Sequence, residues 1–312
     1  MTADRARFIL KFMARTRFEV GAICVDRVVE FEQPLLDPLE IYPEASAADI
    51  ASQMSWLAPR FYDPATKLLV VPIQGFVVRA GSKVLVVDTC AGDCKPRKRP
   101  HFNQQRRDWI GKLAAIGVAP EKVDYVLLTH FHADHVGWNT RLEDGRWVPA
   151  FPNARYLFTR EEWDYWGGPQ GAQAMERTGD YMVDSVVPIV EAGRADFIPM
   201  DHSIFDEVRL IPAAGHTPGF VCVDVRSSGR RLVLASDLLH SPLQCAYPEW
   251  TTRFCADPQG SVRTRVRLLS EWAKSRVEIM PTHFPSPSAG FVERKNGAFS
   301  FRYTEETPSR SR

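Results

Sequence analysis

The stretch Val123-Asp124-Tyr125-Val126-Leu127-Leu128-Thr129 runs directly into His130-Phe131-His132-Ala133-Asp134-His135. A short, continuous apolar run is the pattern of a strand buried on both faces. The end of such a strand is where a rigid scaffold presents functional side chains in a loop. The chain has eight histidines, and three of them fall within this one hexapeptide. H-x-H-x-D-H is therefore a specific signal. Two nearby histidines would read as a hydrogen-bonded polar loop. Four ligand-type residues at one strand end read as a site for zinc or its neighbours, which take imidazole and carboxylate donors.

The same placement recurs further along. His216 lies in Ala214-Gly215-His216-Thr217-Pro218-Gly219, between two predicted strands. Asp237 follows the apolar strand Leu232-Val233-Leu234-Ala235-Ser236, and His283 follows Val277-Glu278-Ile279-Met280-Pro281. Each alone reads as structural; the repetition at successive strand ends does not.

Around these landmarks the chain is regular from Leu68 onwards. Leu68–Val78 and Lys83–Asp88 read as paired strands joined by Ala80-Gly81-Ser82. Trp109, Ile110, Leu113 and Ile116 have helical spacing, which predicts a helix over Asn103–Ile116 stopped by Gly117. Arg155–Thr159 is a strand, and Thr159 is placed to cap a helix with Glu161 and Glu162 in its first turn. Glu207–Pro212, Gly219–Val225 and Arg231–Ser236 are three more strands, followed by an amphipathic helix at Ser261–Ser275 and a terminal hairpin around Lys295-Asn296-Gly297. Two similar halves of strands and helices predict an α+β fold, a four-layered αββα sandwich, over residues 68–312. Residues 1–67 are irregular apart from a strand at Val20–Phe31, with prolines at 34, 38, 43, 59 and 64. They read as an N-terminal extension packing on the core or on a partner subunit. Phe31, Leu35, Leu36, Leu39 and Ile41 there favour a homodimer.

Composition bounds the function. The 312 residues are 45% hydrophobic and 25% charged, which excludes disorder, collagen-like sequence and coiled coil. Lys+Arg 39 against Asp+Glu 38 gives a net charge of +1, against a dedicated nucleic-acid binder. No run approaches the roughly 18 apolar residues of a membrane helix. Phe8-Ile9-Leu10 is cut off by Lys11 among Arg5, Arg7, Arg15 and Arg17, too short and too charged for a secretory signal. Six scattered cysteines, Cys90 and Cys94 included, read as free thiols in a reducing, cytoplasmic setting. The basic run Lys95-Pro96-Arg97-Lys98-Arg99 reads as a solvated loop. The expected partner is a small molecule.

The motif, with His216, Asp237 and His283 in that order, resembles the metallo-β-lactamase-fold hydrolases over about two thirds of the chain. The resemblance implies two divalent metal ions per chain, with zinc the first expectation and manganese, iron or cobalt compatible. His130, His132 and His216 would hold one ion; Asp134, His135 and His283 would hold the other; Asp237 would bridge them. It also implies a supporting role for Asp88, in Val86-Val87-Asp88-Thr89, orienting a ligand histidine. A hydroxide between two such cations forms at neutral pH and needs no serine nucleophile, and the chain has no G-x-S-x-G elbow. Asp134 and Asp237 would fix the metals and pass the proton onwards.

Within the family, His132 argues against flavodiiron-type oxygen reductases, which have glutamate there. Asp237 excludes the β-lactamases with cysteine at that position. No basic arm matches the processing ribonucleases, and the terminal hairpin differs from the helical domain of glyoxalase-type thioesterases. The long lead-in, His135-Val136-Gly137-Trp138-Asn139, and Arg146-Trp147-Val148-Pro149 with Phe151-Pro152-Asn153-Ala154 are similar to the group of quorum-quenching lactonases, organophosphate hydrolases and chlorothalonil hydrolytic dehalogenase. The implied reaction is hydrolysis of a small, mostly apolar ester or lactone. The alternatives are an organophosphate triester or activated aryl halide, or a persulfide dioxygenase with a single iron. In the lactonases a tyrosine lies three residues after the bridging aspartate. Here it is His240, a candidate catalytic donor and a departure from that pattern. Trp138, Trp147, Trp166 and Trp250 are candidate pocket residues, beside Trp163 and Tyr165, with His101 and Phe102 behind them.

Overall fold

The computed structural model describes residues 16–304, so the reading of Phe8-Ile9-Leu10 lies outside the described residues. Two mixed sheets stack face to face, with helices on both outer sides, as the αββα expectation requires. In the first sheet, Ile23–Leu36 pairs antiparallel with Leu68–Ala80, which pairs antiparallel with Lys83–Val87. Tyr125–Leu127, Arg155–Thr159 and Ala195–Ile198 then continue the sheet in parallel. In the second sheet, Val208–Pro212, Val221–Ser227 and Arg230–Ser236 form an antiparallel meander. Glu278–Pro281 joins Arg230–Ser236 in parallel, and the hairpin of Gly290–Lys295 and Ala298–Tyr303 closes the edge.

Alternation along these strands divides the core. Val87, Leu127 and Leu157 of the first sheet meet Val208, Val223, Leu232 and Leu234 of the second in one buried layer between the sheets. The outer face of the second sheet is covered by the helix Pro258–Ser275 through Leu268, Leu269 and Trp272. The outer face of the first packs against the helix Trp109–Ala115, whose Trp109 indole donates to the Val28 carbonyl at 2.8 Å. Asp88, His130 and its neighbours, Asp237 and His283 all follow the carboxyl ends of parallel-paired strands, the end of an α/β sheet where ligands bind.

Several local expectations change. The helix predicted from Asn103 starts at Trp109, with Asp108 accepting from the Gly111 N–H. The preceding residues are held by side chains instead: Asn103 accepts from the Arg97 N–H and Asp93 from the Arg107 N–H, and such bonds compete with a helix. Thr159 precedes the helix Arg160–Trp166 without capping it, because its hydroxyl donates to the Gly219 carbonyl at 3.0 Å. The basic run is not a solvated loop throughout. Lys95 and Arg97 are buried; Arg97 makes a two-armed ion pair with Asp184 at 2.5 and 2.8 Å, and Lys95 sits 3.6 Å above the Trp147 ring.

The N-terminal apolar residues mostly serve the chain itself. Phe31, Leu35 and Leu36 pack against the core and Ile41 is buried, leaving Leu39 exposed. That removes most of the apolar surface on which the homodimer expectation rested. All six cysteines are unpaired. No helix among the described residues is long and apolar enough to cross a membrane.

Candidate metal centre

The strand Tyr125–Leu127 delivers Thr129 and His130 into the cluster, and the short helix Ala133–Val136 turns Asp134 and His135 back towards it. Gly137 ends that turn against the backbone of Ala91 and Gly92, where a Cβ would collide. Asp88, directly after the strand Lys83–Val87, and Ser236, the last residue of Arg230–Ser236, both have positive φ (58° and 43°). Non-glycine residues rarely adopt that conformation, and when they do it is often at functional sites.

Five imidazoles converge on the buried Asp237. His135 Nε2 and His283 Nε2 lie 3.2 and 3.1 Å from its Oδ1. His216 Nε2, His240 Nε2 and His130 Nε2 lie 3.3, 3.2 and 3.7 Å from its Oδ2. His132 reaches in through Nδ1, 3.0 Å from both His130 Nε2 and His216 Nε2. Asp134 closes the far side, 3.7 Å from His283 Nε2. Donor atoms of His130, His132, His216 and Asp237 form one compact group; those of Asp134, His135 and His283 form a second; Asp237, His240 and His283 form a third. The structure thus brings together every residue named from the motif, and His240 with them.

The outward nitrogens are held. His135 Nδ1 lies 2.9 Å from Asp88 Oδ2, His283 Nδ1 3.1 Å from the Pro72 carbonyl, and His216 Nδ1 3.6 Å from Cys255 Sγ. With Asp88 and Pro72 as acceptors the protons of His135 and His283 sit on Nδ1, which leaves the Nε2 lone pairs facing inwards. Asp88 also accepts from the Thr129 N–H at 2.8 Å, so one carboxylate ties both ends of the motif.

Burial and the neighbouring imidazoles hold His130 and His132 well below the ordinary histidine range. Burial opposes charge on His216 too, but Asp237 and Cys255 outweigh it and raise His216 to about 9. Asp237 is buried, yet His283, His135 and His240 keep it well below the usual carboxylate range. His135 Nε2, Asp237 Oδ1 and both ring nitrogens of His240 have no hydrogen-bond partner despite full burial. Buried polar atoms are rarely left so. Inward-facing lone pairs without protein partners, drawn from imidazole and carboxylate, fit divalent cations of the zinc type.

The cluster lies at the floor of a cavity of about 430 Å³ walled by Leu35, Val71, Ile73, Phe102, Tyr165 and Trp166. Trp166 lines it, with its ring 5.3 Å from that of His132. Trp138, Trp147 and Trp250 do not line it. Trp138 is committed to Glu30 by a 2.8 Å hydrogen bond, Trp147 to Lys95, and Trp250 stacks on Tyr247 with ring centroids 4.1 Å apart. His101 and Phe102 do reach the wall.

Glu162 escapes a motif search. Its buried carboxylate accepts from the Phe131 and Gly219 N–H groups at 2.8 Å each and from the Trp166 indole at 2.7 Å. Burial pushes its carboxyl upward against those hydrogen bonds. It thereby spaces the His130–His132 loop against the His216 loop. The available signal was its i,i+4 position relative to Trp166, which puts both on one helix face.

Residues 69–283 match the model of the metallo-beta-lactamase superfamily. The chain belongs to that superfamily and is a hydrolase within it. Among curated relatives, the N-acyl homoserine lactonase AiiB of Agrobacterium fabrum (strain C58) is 22% identical over 275 residues, 80% of this chain and 93% of that protein. Among solved structures, the hydrolase AbOPH superposes with a TM-score of 0.77 at 23% identity, covering 94% of this chain and 98% of its own. AidC, described as a dizinc quorum-quenching lactonase and solved with a product, superposes at 0.76 and 18% identity over the same shares.

Proposed function

We propose that this protein is a dinuclear-metal hydrolase of a small, mostly apolar ester or lactone. The observation that carries the reading is Asp237, which belongs to the His130–His132–His216 group and lies within 3.2 Å of His135 and His283 of the other. On this reading His130, His132 and His216 hold one ion, Asp134, His135 and His283 the second, and Asp237 spans both. The donor set suits zinc best and also accepts manganese, iron or cobalt. Two such cations supply, when bound, a hydroxide at neutral pH and polarisation of a carbonyl oxygen.

The protein's own contribution is orientation and exclusion of water. Asp88 and the Pro72 carbonyl fix two imidazoles by their Nδ1 protons. Leu35, Val71, Ile73 and Phe102 provide an apolar wall for an acyl chain or ring. His240 lines the same cavity, and neither of its ring nitrogens has a hydrogen-bond partner. An imidazole carries at least one N–H at any ordinary pH, so His240 can donate to the substrate carbonyl or leaving oxygen. The superposition on a lactonase and the similarity to AiiB support the lactone class over phosphotriesters and aryl halides. The test is turnover by zinc-loaded protein on a panel of lactones, aryl esters, phosphotriesters and aryl halides. Lactone or ester hydrolysis abolished by a chelator is expected; turnover confined to the other two classes would overturn the substrate assignment.

A further inference from the structure

The cavity wall carries three arginines. Arg99, Arg177 and Arg253 come from separate segments and all line this cavity. The Arg177 guanidinium donates to the Arg253 carbonyl at 3.4 Å, and the Arg99 guanidinium lies 5.8 Å from the ring of Phe254, the next residue. The segments are laced together by the Lys98 N–H bonding the Thr178 carbonyl and Lys98 Nζ bonding the Glu176 carbonyl. Arg177 and Arg253 are exposed and Arg99 half-buried, so the three form the solvent-facing part of the wall above the buried histidines.

Several arginines elsewhere pair with carboxylates: Arg17 with Asp26, Arg97 with Asp184, Arg155 with Asp196, Arg231 with Asp224. Among the described residues no carboxylate pairs with Arg99, Arg177 or Arg253. Among the described residues, the only carboxylates on the cavity wall are Asp134 and Asp237, both in the histidine cluster. Like charges held together without counter-charge beside a cavity create a field that favours anions. Guanidinium groups moreover recognise carboxylate and phosphate oxygens in a directed way.

We propose that these three arginines form an anion-binding rim, and that the substrate is an ester or lactone with an apolar body and a distal oxyanion group such as a carboxylate. This rests on the hydrolase reading above and adds a charge to its substrate class. The apolar wall spans the distance between the reacting carbonyl and the charge, so the scissile bond and the oxyanion occupy different ends of one molecule.

The experiment compares two aryl esters of equal carbon-chain length on zinc-loaded protein: the p-nitrophenyl monoester of adipic acid, with its free carboxylate, and neutral p-nitrophenyl hexanoate. The expected kcat/KM ratio favours the carboxylate ester by about tenfold or more and shrinks as salt is raised, since exposed charges are screened. In the triple variant Arg99→Gln/Arg177→Gln/Arg253→Gln the ratio falls towards one. A ratio at or below one in the wild type, or a preference that persists in the triple variant, overturns the proposal. If neither ester is turned over, the aryl-ester part of the hydrolase reading fails separately, and the lactones of the panel above test the rest. Calorimetric titration of adipate then decides the rim: binding weakened in the triple variant upholds it, and equal or absent binding overturns it.

Discussion

Glu162 Oε2 accepts a hydrogen bond from the Phe131 N–H at 2.8 Å, so a carboxylate on a neighbouring helix fixes the loop that carries His130 and His132. Its other oxygen takes the Gly219 N–H, three residues beyond His216. Glutamine at this position offers one acceptor oxygen and turns an NH2 group towards a backbone donor. Glu162→Gln should therefore cost about 1–3 kcal/mol of stability. Metal affinity should fall by about tenfold, as when supporting partners of metal ligands are lost. Denaturant unfolding and competition with a chelator check the two effects; a variant with unchanged metal affinity would remove Glu162 from the site's support.

His240 tests the chemistry apart from the metals. If it donates to substrate oxygen, His240→Ala should lower kcat by about a hundredfold, with KM moved less and metal content retained. His240→Tyr supplies an O–H donor, as the lactonases do, and should recover part of the rate. Loss of metal in His240→Ala would instead make His240 a ligand, as its grouping with Asp237 and His283 allows.

Lys95 makes stability depend on pH in an unusual direction. Burial lowers its pKa from 10.5 to about 7, against the pull of Asp184. The unfolded chain keeps this proton up to about 10.5 and the folded chain only to about 7, so unfolding takes up a proton between those values. Raising the pH through that window stabilises the native state. The stability of the wild type relative to Lys95→Met should therefore climb from pH 7 to pH 10, measured by urea unfolding at each pH. A flat difference would contradict the assignment.

The layer between the two sheets should be the main store of stability. Leu234 is fully buried there, three residues before Asp237. Leu234→Ala should cost about 2–5 kcal/mol, the range for a buried leucine that leaves a cavity. A loss below about 1 kcal/mol, the size of a surface effect, would mean that the sheets do not pack as described.

The residues that converge on Asp237 were legible because each follows an apolar strand, a pattern that local sequence reports directly. The strands themselves were legible for the same reason: Arg155–Thr159 and Arg231–Ser236 are continuous runs bounded by turn residues. Side-chain partners across long sequence separations were not. Trp138 looks like a pocket residue until Glu30, far away in sequence, accepts a hydrogen bond from its indole N–H. Lys95 and Arg97 look solvated until Asp184 and Trp147 enclose them. The arginine rim was hidden likewise, since Arg99, Arg177 and Arg253 line one cavity only once their separate segments fold together. Periodicity records which face a residue occupies, and it carries no information about which distant group completes that face.

The paired site itself is tested most directly by elemental analysis of the purified protein beside Asp237→Ala and His283→Ala. The account predicts about two divalent ions per chain, as a site that spans two cations requires. The ion count should fall in both variants, with Asp237→Ala losing the more. A single iron per chain, unchanged in His283→Ala, would contradict the dinuclear hydrolase and point to one-metal chemistry at His130, His132 and His216.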